Sequence, residues 1–320
     1  MDGHTSPSAL INSGVPQGSV LSPTLFLLFI NDLLSCTTNP IHSYADDSTL
    51  HVSSGFGAAT TARQLEHSRY EMEASLNADL MAIEEWGGSN MVKFNSSKTQ
   101  CTIFSLKHSS FEPNLLFNNI NLTPNDNLYM LGLLFSSNLT WKSHITQLAK
   151  SASQKLGVLF RFRNYFNSRQ LLTLYVGTIR PCMEYCSHVW GHSPGVELLD
   201  RVESKAFRLI ASPPLTASLP SLSCRRDVAS LSLFYKYYFG HCSGELAGCV
   251  PPPLARPRAT RQSEQAHSYA VELSNSRIER YSRSFFPATS VLWNNLPQQV
   301  FPPQFDLQKF KCNINRHLMQ

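Results

Sequence analysis

Tyr44-Ala45-Asp46-Asp47, lying between the β-prone runs 41–44 and 48–52, is the stretch on which the fold turns. Two such runs meeting at adjacent short acids predict a β-hairpin with both carboxylates at its tip, because Asp tolerates turn geometry. Held together there, Asp46 and Asp47 offer oxygen ligands to a divalent metal, and such metals activate and stabilise oxygens in phosphoryl transfer. Asp-Asp alone is also an ordinary turn dipeptide, so the neighbouring sequence has to discriminate.

About thirty residues upstream stands Ser13-Gly14-Val15-Pro16-Gln17-Gly18. Gly14 and Gly18 bracket a turn whose backbone can approach a ligand closely, since neither carries a Cβ. Pro16 fixes one φ angle, and the Gln17 amide both donates and accepts hydrogen bonds. A helix follows, with Ser22 expected as N-cap and Pro23 as its first residue. Its apolar run, 25–30, is far shorter than the roughly twenty residues of a membrane span, so a core helix is expected. Asp32 near its end reads as a surface residue.

This order of motifs resembles the palm of reverse transcriptases, in particular the non-LTR retrotransposon type of the jockey and LINE-like kind. The resemblance continues through Trp86, Asn95-Ser96-Ser97-Lys98-Thr99, Tyr129-Met130-Leu131-Gly132, Leu139-Thr140-Trp141-Lys142-Ser143-His144-Ile145, Ile179-Arg180-Pro181 with Glu184-Tyr185, and Leu292-Trp293-Asn294-Asn295-Leu296-Pro297. It implies an α+β fold: a partial palm (1–107), a primer-grip-like hairpin (108–139), an all-helical basic thumb-like region (140–250), and a Pro-rich linker with a basic tail (251–320). It implies an RNA-directed DNA polymerase, a nucleotidyltransferase acting with RNA template, DNA primer and dNTP. Asp46 and Asp47 would then be catalytic and hold Mg2+. Gly14, Pro16, Gln17 and Gly18 would lie beside the templating base and incoming nucleotide. Lys98 would sit near the nucleotide phosphates, as a proton donor to pyrophosphate; an exposed turn lysine is the other reading of the residue.

The family carries a third metal-binding aspartate upstream of the glycine loop, whereas Asp2 is the only acid before Gly14 and has no apolar strand around it. The expectation is therefore a polymerase fragment truncated at its N-terminal side, inactive alone because positioning and electrostatics supply most phosphoryl-transfer catalysis. The missing N-terminal part would have to come from another polypeptide. The alternatives are a catalytically dead nucleic-acid-binding fragment and a non-functional genomic relic.

The net charge of +5 is unevenly spread: residues 1–139 sum to −7, residues 140–250 to +7 and the remainder to +5. Residues 141–181 hold Lys142, Lys150, Lys155, Arg161, Arg163, Arg169 and Arg180 and no acid, with Phe160, Phe162, Tyr165 and Phe166 interleaved. Basic residues mixed with aromatics suit a surface that grips nucleic-acid phosphates; a solvated basic helix face with its aromatics in the core is the other reading. Eight scattered cysteines with no C-x-x-C, and no apolar leader after Met1, fit an intracellular protein of nucleus or cytoplasm, neither secreted nor membrane-bound.

The periodicity predicts a helix over 58–86, with Glu71, Glu73, Asp79, Glu84 and Glu85 on its outer face, then strands at 91–94 and 101–106 and a strand pair around Gly132. Three helical stripes follow, from Trp141, from Leu171 and from Leu198, the last two stopped by Pro181 and by Pro213-Pro214. Cys182, Cys186, His188 and His192 imitate a zinc set but crowd into eleven residues, where structural zinc sites draw on two separated pairs. Gly55 to Thr60 imitates a dinucleotide loop without its third glycine.

Overall fold

A computed structural model describes residues 14, 16, 18–55, 61–105, 111–254 and 267–319. The chain forms two compact units, Met1–Leu131 and Gly132–Gln320. The first mixes helices with two-stranded antiparallel sheets, and the second is almost wholly helical, in keeping with the α+β expectation.

In the first unit, helix α1 (Ser22–Ile30) passes through a 3-10 turn into strands β1 (Ile41–Tyr44) and β2 (Asp47–Leu50). Helix α2 (Ala62–Ser89) follows, then β3 (Leu115–Phe117), β4 (Ile120–Leu122) and β5 (Asn127–Met130). Thr61 and Gln64 form a capping box that starts α2, each side chain accepting from the other's backbone N–H. Leu80 and Ile83 of α2 pack on Ile30, Leu33, Leu115, Phe117 and Leu122 as one buried cluster. Each such side chain contributes about 1.5–3 kcal/mol when fully buried. Asn118 and Asn119, both at positive φ, make the two-residue β3–β4 turn, as the twist of a hairpin favours.

Five expectations need correction here. Ser22 is the first helical residue rather than the N-cap, because its hydroxyl donates back to the Pro16 carbonyl (2.7 Å). Helix α1 buries only one side: Ile30 and Phe26 join the core while Leu25, Leu27, Leu28 and Phe29 stay exposed. Residues 91–94 form no strand, because they end α2 instead. Met91 adopts a left-handed φ of +56°, and Val92 N–H donates to the Gly87 carbonyl (2.8 Å), a Schellman closure. A Cβ on Gly87 would meet that Val92 carbonyl at 2.8 Å and the Phe94 ring at 3.0 Å, so glycine lets the chain fold back. Residues 101–105 contribute only an isolated bridge, Cys101 to Pro124; Leu106 lies outside the described residues. The fifth correction, Asp79, belongs to the site below.

The second unit opens with β6 (Leu133–Ser136) and helices α3 (Lys142–Arg161) and α4 (Ser168–Leu174). Ile145, Ala152, Leu156 and Leu159 of α3 join Leu171, Tyr175, Ile179 and Trp190, with Leu199, Val202, Ala206 and Ile210 of helix Glu197–Ile210, in one core. His144 is buried beside the rings of Trp141 (5.9 Å) and Trp190 (5.8 Å) and accepts from Leu134 N–H through Nδ1 (3.3 Å). Burial holds its pKa below the ordinary histidine value. Gly132, at φ +78°, lies under the Tyr185 ring, where an added Cβ would come within 3.3 Å.

A second cluster joins Leu231, Phe234 and Tyr235 of helix Leu222–Tyr238 to Trp293, Phe301, Phe310 and Ile314. Residues 267–319, anticipated within a linker and tail, thus carry a packed core in which Trp293 and Phe310 are fully buried. Among the described residues no group of three or more His, Cys, Asp and Glu side chains is placed to hold a metal, Cys182, Cys186, His188 and His192 included. No described helix is long and apolar enough to cross a membrane.

Candidate active site

The β1–β2 register pairs Ile41 with Leu50, His42 with Thr49, Ser43 with Ser48 and Tyr44 with Asp47. Ala45 and Asp46 are left as a two-residue loop, with Ala45 at φ +53°. That conformation costs an L-residue roughly 1–2 kcal/mol and persists only where the surroundings fix it. Several contacts do so. Ser43 Oγ meets Ser48 Oγ at 3.0 Å and lies 3.3 Å from the Ala45 carbonyl. Strand alternation turns Ile41 and Leu50 toward the buried cluster and sets Tyr44 and Asp47 on the opposite face.

Asp79 anchors the approach to this hairpin. It was expected on the outer face of α2, yet it is 2% exposed. One carboxylate oxygen accepts from Thr38 N–H (2.7 Å) and Thr38 Oγ1 (2.9 Å). The other accepts from Asn39 N–H (2.9 Å) and Asn39 Nδ2 (2.7 Å). Burial alone would raise its pKa, but these four bonds outweigh it and hold the carboxyl below its ordinary value. The residues so clasped immediately precede β1.

Asp46 and Asp47 are both exposed, and among the described residues no side-chain hydrogen bond or ion pair engages either carboxylate. Two adjacent uncommitted carboxylates form an oxygen donor set that fits a hard divalent cation; Mg2+ takes one or two such ligands and completes its shell with water and substrate phosphate.

The glycine loop is described at Gly14, Pro16 and Gly18, while Gln17 lies outside the described residues. Gly14 (φ +95°) and Gly18 (φ +88°) require glycine for backbone conformation, since a Cβ at either would meet nothing within 4 Å. Pro16 ties the loop to α1 by accepting from Ser19 N–H (3.3 Å) and the Ser22 hydroxyl. Lys98 is exposed in a turn closed by its N–H donating to the Asn95 carbonyl (3.1 Å).

In the second unit Lys142, Lys150, Lys155, Arg161, Arg163 and Arg169 are all exposed, whereas Arg180 is partly buried beside Glu184 (3.7 Å). The interleaved aromatics are exposed too, so they are not core residues of a basic helix. Sequence reasoning missed Asp79, whose partners lie forty residues away, and the Ser43–Ser48 brace.

A family model described as "Reverse transcriptase (RNA-dependent DNA polymerase)" matches residues 1–148. The RNA-directed DNA polymerase from mobile element jockey of Drosophila melanogaster is 26% identical over 67% of this chain and 23% of its own length. Its counterpart in Drosophila funebris is 25% identical over 72% of this chain and 25% of its own. A probable RNA-directed DNA polymerase from transposon X-element of Drosophila melanogaster is 26% identical over 62% and 22%. The chain thus spans about a quarter of the length of the curated relatives it matches. No solved structure matches.

Proposed function

From a chain whose residues 1–148 are a reverse transcriptase domain of the jockey-like, non-LTR kind, we propose that the β1–β2 tip serves RNA-directed DNA synthesis. Asp46 and Asp47 are the carboxylates that hold Mg2+ against the phosphates of an incoming dNTP. The bound metal would supply charge neutralisation at the attacking and leaving oxygens. The chain's own part is geometric. The fixed Ala45 turn presents both carboxylates together, the Asp79 clasp sets the height of the hairpin, and Gly14 to Gly18 offer backbone to the nucleotide and template. Lys98 acts at the phosphates, and the basic face of 141–181 holds the template–primer backbone.

The observation that carries this reading is the strained, braced turn with two uncommitted acids inside the matched segment. Mn2+, a spectroscopic stand-in for Mg2+, provides the test by electron paramagnetic resonance with dNTP present. The wild-type chain should bind Mn2+–dNTP, and Asp46→Asn with Asp47→Asn should abolish that binding. Extension of a DNA primer on an RNA template by any polypeptide containing this segment should fall by about a hundred- to a thousandfold or more in the double variant, by analogy with losing a principal electrostatic group. Equal Mn2+ binding by the double variant would overturn the assignment.

A further inference from the structure

Eight consecutive residues, Phe160-Arg161-Phe162-Arg163-Asn164-Tyr165-Phe166-Asn167, are all exposed. They run as an elbow from the last two residues of α3 to the N-cap of α4, and half of them are aromatic. Tyr165 is 79% exposed, Phe160 53% and Phe162 52%. Single exposed apolar residues are ordinary, but four rings within seven positions mark an interaction surface.

The elbow is not a loose loop. Buried Leu159 and Leu171 moor its two ends in the core. A 3-10 turn, Arg163–Tyr165, spans its middle, and Tyr165 N–H donates to the Phe162 carbonyl (3.0 Å). Arg163 is pinned in place: its guanidinium lies 3.9 Å over the Phe160 ring and donates to the Phe160 carbonyl (3.0 Å). A capping box of Asn167 and Gln170 starts α4 immediately afterwards. The rings are therefore presented with little further ordering to be done on binding.

Charge selects the partner. Residues 141–181 contain no acid, and Arg161, Arg163 and Arg169 are exposed on or beside the rings. A surface of one sign attracts polyanions, and its flat faces add a preference for π-systems. In duplexes the base faces are already stacked on each other, whereas an unpaired strand leaves them free.

We propose that the 160–167 elbow is a stacking platform for the unpaired bases of a single nucleic-acid strand, its phosphates running along Arg161 and Arg169. The proposal rests on the reading that the basic face of 141–181 meets nucleic acid, and goes beyond it by assigning the rings to bases. Stacking on an aromatic side chain changes affinity roughly 5- to 150-fold per base.

Fluorescence anisotropy with the 320-residue chain tests it, using a labelled oligo(dT) strand, an abasic strand of equal length and a duplex. Phe162→Ala with Tyr165→Ala should weaken oligo(dT) binding about tenfold or more and leave both the abasic affinity and the salt slope unchanged. Arg161→Gln with Arg169→Gln should weaken all three and flatten the single-strand salt slope by about 1.4. Tyr165→Ala alone alters a surface ring and serves if the double variant unfolds. Equal wild-type affinity for oligo(dT) and abasic strands would overturn the platform while the basic-face reading stands. Failure to bind any strand, or binding to phosphatidylserine vesicles alone, would overturn both.

Discussion

Asp79→Asn should release the hairpin without touching the tip. The carboxylate accepts four hydrogen bonds, two on each oxygen, from Thr38 and Asn39. An asparagine keeps one acceptor oxygen and replaces the other by an NH2, so two donors then face a donor. Hydrogen bonds to a charged group are worth about 1.5–3 kcal/mol each, so losing two in a buried site costs roughly 3–6 kcal/mol. Peptide-resolved hydrogen exchange localises the effect, because the clasp controls opening of its own segment. Amides of 38–50 should lose protection by a factor of several hundred or more, while those of 142–161 should not change. The sign of the pH response follows from the depressed pKa of Asp79: the clasp is intact above the ordinary aspartate value of about 3.9 and is lost as pH falls through the lower folded value. A loss of protection below about tenfold at neutral pH would refute the reasoning, since two buried charge-assisted bonds cannot be worth so little.

Two further outcomes follow from the second unit. Gly132→Ala places a Cβ at a positive φ and within 3.3 Å of the Tyr185 ring, and should lower stability to urea by about 1–3 kcal/mol; Tyr185→Ala should recover only the part due to contact. Glu203 is buried, accepting from Tyr175 OH (3.3 Å) and Leu222 N–H (3.2 Å), and burial raises its pKa. Its folded form therefore favours the proton, and wild-type stability falls as pH rises from the ordinary carboxylate range through the folded value. Glu203→Gln removes that slope, so urea midpoints of wild type and variant should converge or cross as pH rises above the ordinary carboxylate value.

The hairpin was legible because its signal is local: two β-prone runs and a pair of turn-tolerant acids. The stripes from Trp141 and Leu198 were legible for the same reason, since a helix repeats its buried residues within a few positions. Asp79 was not. Beside Leu80 on a helix it is indistinguishable from the exposed acids around it until the chain before β1 arrives to donate. Residues 91–94 look β-prone, yet the Gly87 carbonyl left open at the end of α2 claims the Val92 N–H first. The elbow aromatics were ambiguous by nature, because a ring's composition says nothing of which way it faces. Gln17 and the functions assigned to Gly14, Pro16, Gly18 and Lys98 rest on resemblance.

Ala45 has one more implication. Glycine would sit at φ +53° without steric penalty, but it would also let the bend wander among many arrangements. Alanine surrenders a little enthalpic comfort and gains a narrow distribution, so residues 46 and 47 leave the bend along fewer alternative paths than a glycine there would allow.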